Sequence, residues 1–229
     1  MSKYKIGIPA WKTGDNSFGV TVPYIRFIEY FGEPVILSPT SEINTNLDLI
    51  LLPGGPDVDV DRYNATPDYY NGKACPFREH FDKVHLPEYI EFGIPIFGIC
   101  RGMQSLGIMF GGSMNQHISH VANKQYDRGD LVHSIDIHGG FKKSLDVNLS
   151  FYKQNLQVNS IHHQAIENTD LKVIATSNHK DETGYNYIEL IAHEELPIIG
   201  VQWHPEEIYD EFTVKAINYL LENKKSILL

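Results

Sequence analysis

Positive charge, cysteine and long apolar runs are all scarce in this chain of 229 residues. Its 19 Lys and Arg stand against 29 Asp and Glu, a formal net charge of -10, and the basic residues cluster no further than pairs such as Lys142-Lys143 and Lys224-Lys225. A surface that tracks a phosphate backbone would carry a basic patch or stripe, so nucleic acid is not expected as a partner. Only two cysteines, Cys75 and Cys100, are present. That excludes a disulfide framework and points to a reducing, cytoplasmic setting. No apolar stretch approaches the ~20 residues of a membrane span, and Met-Ser-Lys-Tyr-Lys runs into Ile-Gly-Ile-Pro without the apolar region of a signal peptide. No membrane partner is expected. Repeats, linkers and low-complexity tracts are lacking too, so one domain over residues 1–229 is expected.

What is there is a foldable mixture, 42% hydrophobic and 21% charged, with 13 Tyr and 11 Phe. Short apolar runs alternate with helix-like segments, the pattern of an α/β domain with a mostly parallel central sheet. Strands are expected at Lys5 to Pro9, Pro34 to Leu37, Leu47 to Leu52 and Ile94 to Ile99. The intervening helices are Tyr24 to Phe31, stopped by Gly32, and Arg78 to Phe92. A helix from Arg101 to Phe110 follows, stopped at Gly111-Gly112. Beyond Gln116 the strands Leu131 to Ile137, Leu171 to Ser177 and Tyr187 to Ala192 read as an antiparallel extension. Ile198 to Gln202 is the last strand, and Phe212 to Asn223 closes the chain as a helix.

The stretch Pro95-Ile-Phe-Gly-Ile-Cys100-Arg-Gly-Met-Gln104 carries the clearest chemistry. An apolar strand ends at a cysteine held between Gly98 and Gly102, which is the pattern of a nucleophile elbow. The glycines let the following helix pack close to the strand. The thiol sits at the positive end of the helix dipole, which favours the thiolate. A buried cysteine acting as a small hydrophobe is the alternative. A cysteine nucleophile needs a base, and the base needs a group to orient it. His204 and Glu206, directly after the last strand, supply both roles at the strand end where α/β sheets place their sites. A surface loop with a stray histidine and two acids, Glu206 and Glu207, is the alternative there.

Gly98-Ile-Cys-Arg-Gly-Met-Gln104 and Gly200-Val-Gln-Trp-His-Pro-Glu206 together resemble the paired signature of the class I glutamine amidotransferase superfamily. Val158-Asn-Ser-Ile-His-His-Gln164 and Leu52-Pro-Gly-Gly-Pro-Asp-Val58, with Tyr63 following, are similar to its γ-glutamyl-γ-aminobutyrate hydrolase branch, peptidase C26-like. The resemblance implies a three-layer, flavodoxin-like fold with helices on both faces of the sheet. It also implies that Cys100 attacks a γ-glutamyl amide to form a thioester, with His204 as acid and base and Glu206 orienting it. The oxyanion hole would come from the backbone of Arg101 and of the Gly54-Gly55 turn. Gln104, Asn159, Ser160, His162, His163 and Gln164 are implied to line the substrate pocket. Relatives carry a third glycine after the pair and a proline before the tyrosine, where this chain has Pro56 and Val60-Asp61.

Arg78-Glu79-His80-Phe81-Asp82 is read as helix capping and surface charge. The histidines His117, His120, His133, His138, His162 and His163 lack ligand spacing with cysteine or carboxylate partners, so no metal and no cofactor are expected. Cys75 reads as a bystander thiol. Tyr63, Tyr69, Tyr70 and Phe77 in the polar stretch Pro56 to Pro76 either form a lid or pin that loop to the body. The expected function is hydrolysis of a small γ-glutamyl amine. Two alternatives are a glutaminase subunit feeding a synthetase partner and a non-catalytic binding module. The leaving amine and the oligomeric state, a homodimer included, stay open.

Overall fold

Four strands with every residue buried or nearly so form the middle of the sheet, which fixes where the site lies. The computed structural model describes residues 4–38, 40, 42–118, 127–138, 156–180 and 186–223. Strand β1 (Tyr4–Pro9) leads into a hairpin, β2 (Trp11–Gly14) and β3 (Ser17–Gly19), then helix α1 (Val22–Phe31), β4 (Gly32–Leu37) and β5 (Leu49–Leu52). A 3-10 turn (Val60–Tyr63), α2 (Pro76–His80), a π-helical turn (Phe81–His85) and α3 (Leu86–Glu91) precede β6 (Ile96–Ile99) and α4 (Arg101–Met109). Next come β7 (Ser113–Asn115), β8 (His133–Ile137), β9 (Leu156–Val158), β10 (Ala165–Asn168), β11 (Lys172–Lys180), β12 (Asn186–Ala192) and β13 (Ile198–Val201). The described chain ends with α5 (Pro205–Ile208) and α6 (Glu211–Glu222). His120, Lys142, Lys143, Lys224 and Lys225 lie outside the described residues, as does much of the segment from Ser119 to Gly140.

The large sheet has the order β4-β1-β5-β6-β13-β12-β11-β8-β9. Its first five strands pair parallel and the rest antiparallel, which is the expected core with its C-terminal extension. Alternation along β5 and β6 sends Leu49, Leu51, Phe97 and Ile99 to one face, against α1 and α6. Ile50, Leu52 and Ile96 go to the other face, against α3 and α4. Both faces are therefore covered, as parallel strands require.

The single helix expected over Arg78 to Phe92 is broken in three. Pro87 has no N–H for the carbonyl of Lys83 and its ring would crowd that carbonyl. The π-helical turn relieves this by letting the N–H of Leu86 reach back five residues to the carbonyl of Phe81. Arg78, Glu79 and Asp82 are buried there, which corrects their reading as capping and surface charge. Among the described residues, no helix is long and apolar enough to cross a membrane.

Candidate active site

Three neighbouring strand ends deliver the site. Leu52 pairs with Gly98, and Gly98 with Gly200, so the chain leaves β5, β6 and β13 along one edge. The residues that follow are Gly54, Cys100 and His204. Cys100 has φ 51 and ψ -109, a conformation L-residues avoid, and it caps the N-terminus of α4. Such a backbone stores about 1–3 kcal/mol and persists only where its surroundings hold it. Here the N–H of Cys100 donates to the Val201 carbonyl at 2.8 Å, and its carbonyl accepts from Gln104 N at 3.0 Å. Gly98 and Gly102 are needed for close approach: a methyl on Gly98 would lie 2.9 Å from the backbone of Gly102 and Met103, and one on Gly102 would overlap the Leu52 carbonyl. The elbow expected from the sequence is in place.

The short helix α5 folds Glu206 back onto His204, with Nδ1 to Oε1 at 2.7 Å and both residues buried. A carboxylate only accepts, so Nδ1 carries the proton and Nε2 is the reactive nitrogen. That Nε2 is buried without a hydrogen bond among the described residues. Burial alone would lower the histidine's affinity for a proton, but Cys100 and Glu206 outweigh it and push the pKa up to about 10. The imidazolium is favoured beside a negatively charged sulfur. Glu207 turns outward to Arg128 at 2.6 Å, so Glu206 is the acid that meets the ring.

A cleft of about 230 Å³ opens on these groups, lined by Trp11, Thr21, Tyr24, Gly54, Gly55, Cys100, Arg128, Ile161 and His204. Gly54 cannot act as the oxyanion donor, because its N–H is already given to the Tyr24 hydroxyl at 2.8 Å. Gly55, with φ 154 and exposed, and Arg101, whose N–H is among the first of α4 and has no intrahelical acceptor, remain. Tyr24 also lies 3.5 Å from His204 Nδ1. Burial and the charges of Glu206 and Cys100 keep its phenol well above the usual range.

The expected substrate contacts take a different place. Gln104 is buried, with Nε2 donating to the Gln164 carbonyl at 3.0 Å and to Gln202 Oε1 at 3.2 Å. Asn159 accepts from His204 N at 2.8 Å and donates to the carbonyls of His204 and Arg128. His162 gives Nδ1–H to the Gln164 carbonyl at 2.9 Å, and burial pulls its pKa down to about 4, so it is neutral. His163 pairs with Asp57 at 3.2 Å, and Gln164 donates to Asn71 and Gln116. Ser160 is buried. These residues hold His204 and the loop over residues 56–76, and Ile161 is the one of that motif on the cleft lining.

The same loop is pinned rather than hung as a lid. Tyr70 stacks on His117 at 3.8 Å and Phe77 packs edge-on against Phe18 at 5.1 Å. Tyr69 points to solvent. None of the four loop aromatics lines the cleft, whereas Trp11, from the hairpin, does. Cys75 is buried in the core. Among the described residues no cluster of metal-ligating side chains is found.

Beneath the cleft lies an ionic cluster that sequence reasoning missed. Asp82 accepts from Arg101, from Arg62 at 3.1 Å and from Ser105 at 2.7 Å, and Glu79 accepts from Arg101. Arg78 reaches the carbonyls of Pro53 at 2.8 Å and Gly54 at 3.0 Å, and Arg101 reaches that of Pro56 at 3.1 Å. Burial, with Arg101 nearby, brings Arg78 down to about 10, so it remains charged at neutral pH. The only trace in the sequence is charge at positions 78, 79 and 82, spaced to share one helix face.

Comparison with known proteins agrees with this geometry. The profile of the Peptidase C26 family matches residues 9–206. The glutamine amidotransferase-like protein YvdE of Lactococcus lactis is 31% identical over 197 residues, covering 81% of each chain. The γ-glutamyl-γ-aminobutyrate hydrolase PuuD of Escherichia coli is 28% identical over 202 residues, covering 81% of this chain and 73% of its own. In fold, the chain is similar to the crystal structure of a Thermoplasma acidophilum protein described as a GMP synthase subunit, with a TM-score of 0.62 at 20% identity over 99% of this chain and 96% of the other. On these matches, this chain belongs to the Peptidase C26 family, within the class I glutamine amidotransferase superfamily.

Proposed function

We propose that the chain is a cysteine-dependent hydrolase that cleaves the γ-glutamyl amide bond of a small γ-glutamyl amine. The observation that carries this reading is one cleft holding Cys100 at a strained helix N-terminus together with a buried His204–Glu206 pair at 2.7 Å. The Cys100 thiolate attacks the γ-carbonyl carbon, a C–S bond forms, and the carbonyl electrons move onto oxygen. The N–H groups of Gly55 and Arg101 receive that oxyanion, a contact worth about 2.7–4 kcal/mol per donor in the transition state. Collapse breaks the C–N bond while His204 Nε2 passes its proton to the leaving amine. The neutral imidazole then takes a proton from water, which attacks the γ-glutamyl thioester and returns Cys100 as thiolate with release of glutamate. No cofactor enters this sequence. Glu206 keeps the ring aligned throughout.

The cleft supports a substrate of amino-acid size, since pockets for drug-sized ligands start at roughly 300 Å³. Arg128 offers its positive charge on the lining to a substrate carboxylate. The likeness to PuuD, named as a γ-glutamyl-γ-aminobutyrate hydrolase, favours γ-glutamyl-γ-aminobutyrate among the candidates. A second reading, a glutaminase subunit serving a separate synthetase, is favoured by the fold shared with the Thermoplasma GMP synthase protein. Glutamate release from free glutamine and a panel of γ-glutamyl amines, with Cys100→Ala as control, separates the two. Cleavage of a γ-glutamyl amine by the isolated chain supports the hydrolase. Glutamine turnover that needs an added synthetase contradicts it.

A further inference from the structure

We propose that Arg78 is the positioning residue that sets the oxyanion hole, by holding the Gly54 carbonyl away from the cleft so that the N–H of Gly55 points in. This rests on the reading of Cys100 as the acylated nucleophile. Gly54 and Gly55 form the least restrained pair of residues a turn can contain, and the peptide between them can present either its N–H or its carbonyl to Cys100. The two choices have opposite consequences. An N–H stabilises a developing oxyanion, and a carbonyl oxygen repels it.

The structure makes the choice with one side chain. The peptide bonds here are trans, so the carbonyl of Gly54 and the N–H of Gly55 point in opposite directions from one plane. Arg78 Nη1 donates to the Gly54 carbonyl at 3.0 Å, which fixes the N–H on the other side, toward the lining shared with Cys100 and His204. The preceding peptide is locked at both ends: Arg78 Nη2 holds the Pro53 carbonyl at 2.8 Å and the Tyr24 hydroxyl holds the Gly54 N–H at 2.8 Å. Arg101 Nε takes the next free carbonyl along, that of Pro56, at 3.1 Å. Arg78 is itself immobilised. It is fully buried, lies with its guanidinium carbon 5.7 Å from the centre of the Trp11 ring, and has the Asp82 charge close by. Its Nε is left without an acceptor among the described residues. An arginine aligned for its own stability would not bury that donor unpaired, whereas one aligned by its two terminal nitrogens on consecutive carbonyls does. The oxyanion hole is therefore preformed in the isolated chain.

The test compares two reactions at Cys100 that differ in whether an oxyanion forms. Acylation by p-nitrophenyl acetate passes through a tetrahedral oxyanion, while alkylation by iodoacetamide displaces iodide at a saturated carbon and forms none. Arg78→Met removes both carbonyl contacts, and Arg78→Lys keeps the buried charge with reach for one. The expected result is a p-nitrophenolate burst slowed by about tenfold or more in Arg78→Met, against the ~100-fold or greater effect of losing an oxyanion donor outright. Arg78→Lys should recover part of that rate, and iodoacetamide should label both variants as fast as the parent. A burst at the parent rate in both variants overturns the proposal, as does an equal loss in both reactions, which would mean that Arg78 only supports the thiolate or the fold. Absence of a burst in the parent, with Cys100 still alkylated, overturns it as well. If Arg78→Met does not fold, Arg78→Lys alone carries the comparison. Failure of the parent on every γ-glutamyl amide would overturn the proposed substrate class and leave this comparison standing.

Discussion

Gly102→Ala is the sharpest probe of the elbow, because a single methyl sets two effects against each other. In α4 the change gains helix propensity, about 1 kcal/mol for alanine over glycine. Against that, the new methyl would lie 2.7 Å from Leu52 Cβ and 2.8 Å from its carbonyl carbon, where 3.4 Å is ordinary contact, and would overlap the carbonyl oxygen. The obstacle is strand backbone and cannot rotate away, so α4 must shift from β5 by about an ångström. Overpacking of this kind costs about 1–3 kcal/mol. Net destabilisation is then about 0–2 kcal/mol, a fall in Tm of at most ~8 °C for a chain of this size. The effect on chemistry is larger. Cys100 moves with the start of α4 relative to the Gly55 N–H, and a misplacement of about 1 Å costs on the order of 100-fold in rate. Thermal melting together with glutamate release measures both. Activity within a few fold of the parent would refute the claim that close packing of α4 on β5 aims the nucleophile.

Three further outcomes follow from the same geometry. Asp82→Asn leaves Arg62, Arg78 and Arg101 facing Glu79 alone, and breaking such a buried pair costs about 3–5 kcal/mol, so Tm should fall by roughly 6–20 °C. Burial alone would raise the Asp82 carboxyl, but Arg101, Arg78 and Arg62 hold it below its ordinary 3.8. Its stabilisation is thus present above pH 3.8 and lost as pH falls through the lower folded value, and acid melts of Asp82→Asn should lack that loss. His204 has the opposite sign: its folded pKa near 10 stands above the ordinary 6.5, so its contribution is full below pH 6.5 and lost as pH rises through 10. Alkylation of Cys100 should hold its rate up to that region, and NMR titration of His204 in Cys100→Ala should move sharply downward; an unmoved titration would break the thiolate–imidazolium assignment. Asn159→Ala should lower kcat with little change in KM, since Asn159 holds the backbone of His204; a raised KM at constant kcat would restore it as a substrate contact.

The elbow and the His204–Glu206 pair were legible because each is local. A strand, a tight turn and a short helix are written in consecutive residues, and the i, i+2 relation of His204 and Glu206 needs only α5 to bring them together. The parallel core was legible for the same reason, through its continuous apolar runs. What the sequence concealed is long-range. Tyr24 reaches Gly54 from helix α1, and Trp11 reaches the cleft from a hairpin with no strong turn signal. Arg78 and Asp82 look like surface charge until Arg62 and Arg101 arrive from other segments to neutralise and fill their burial. The motif around Asn159 to Gln164 identified the right region and the wrong contacts, because polar side chains beside a site hold its backbone as readily as they hold a ligand.

The central claim is that Cys100 carries the γ-glutamyl group. Rapid-quench intact mass spectrometry during turnover of the best γ-glutamyl amine tests it most directly. The account predicts a transient mass increase of one glutamyl group, mapped by digestion to Cys100, sensitive to hydroxylamine and absent from Cys100→Ala. Glutamate release at the parent rate with no adduct on Cys100, or from Cys100→Ala itself, would contradict it.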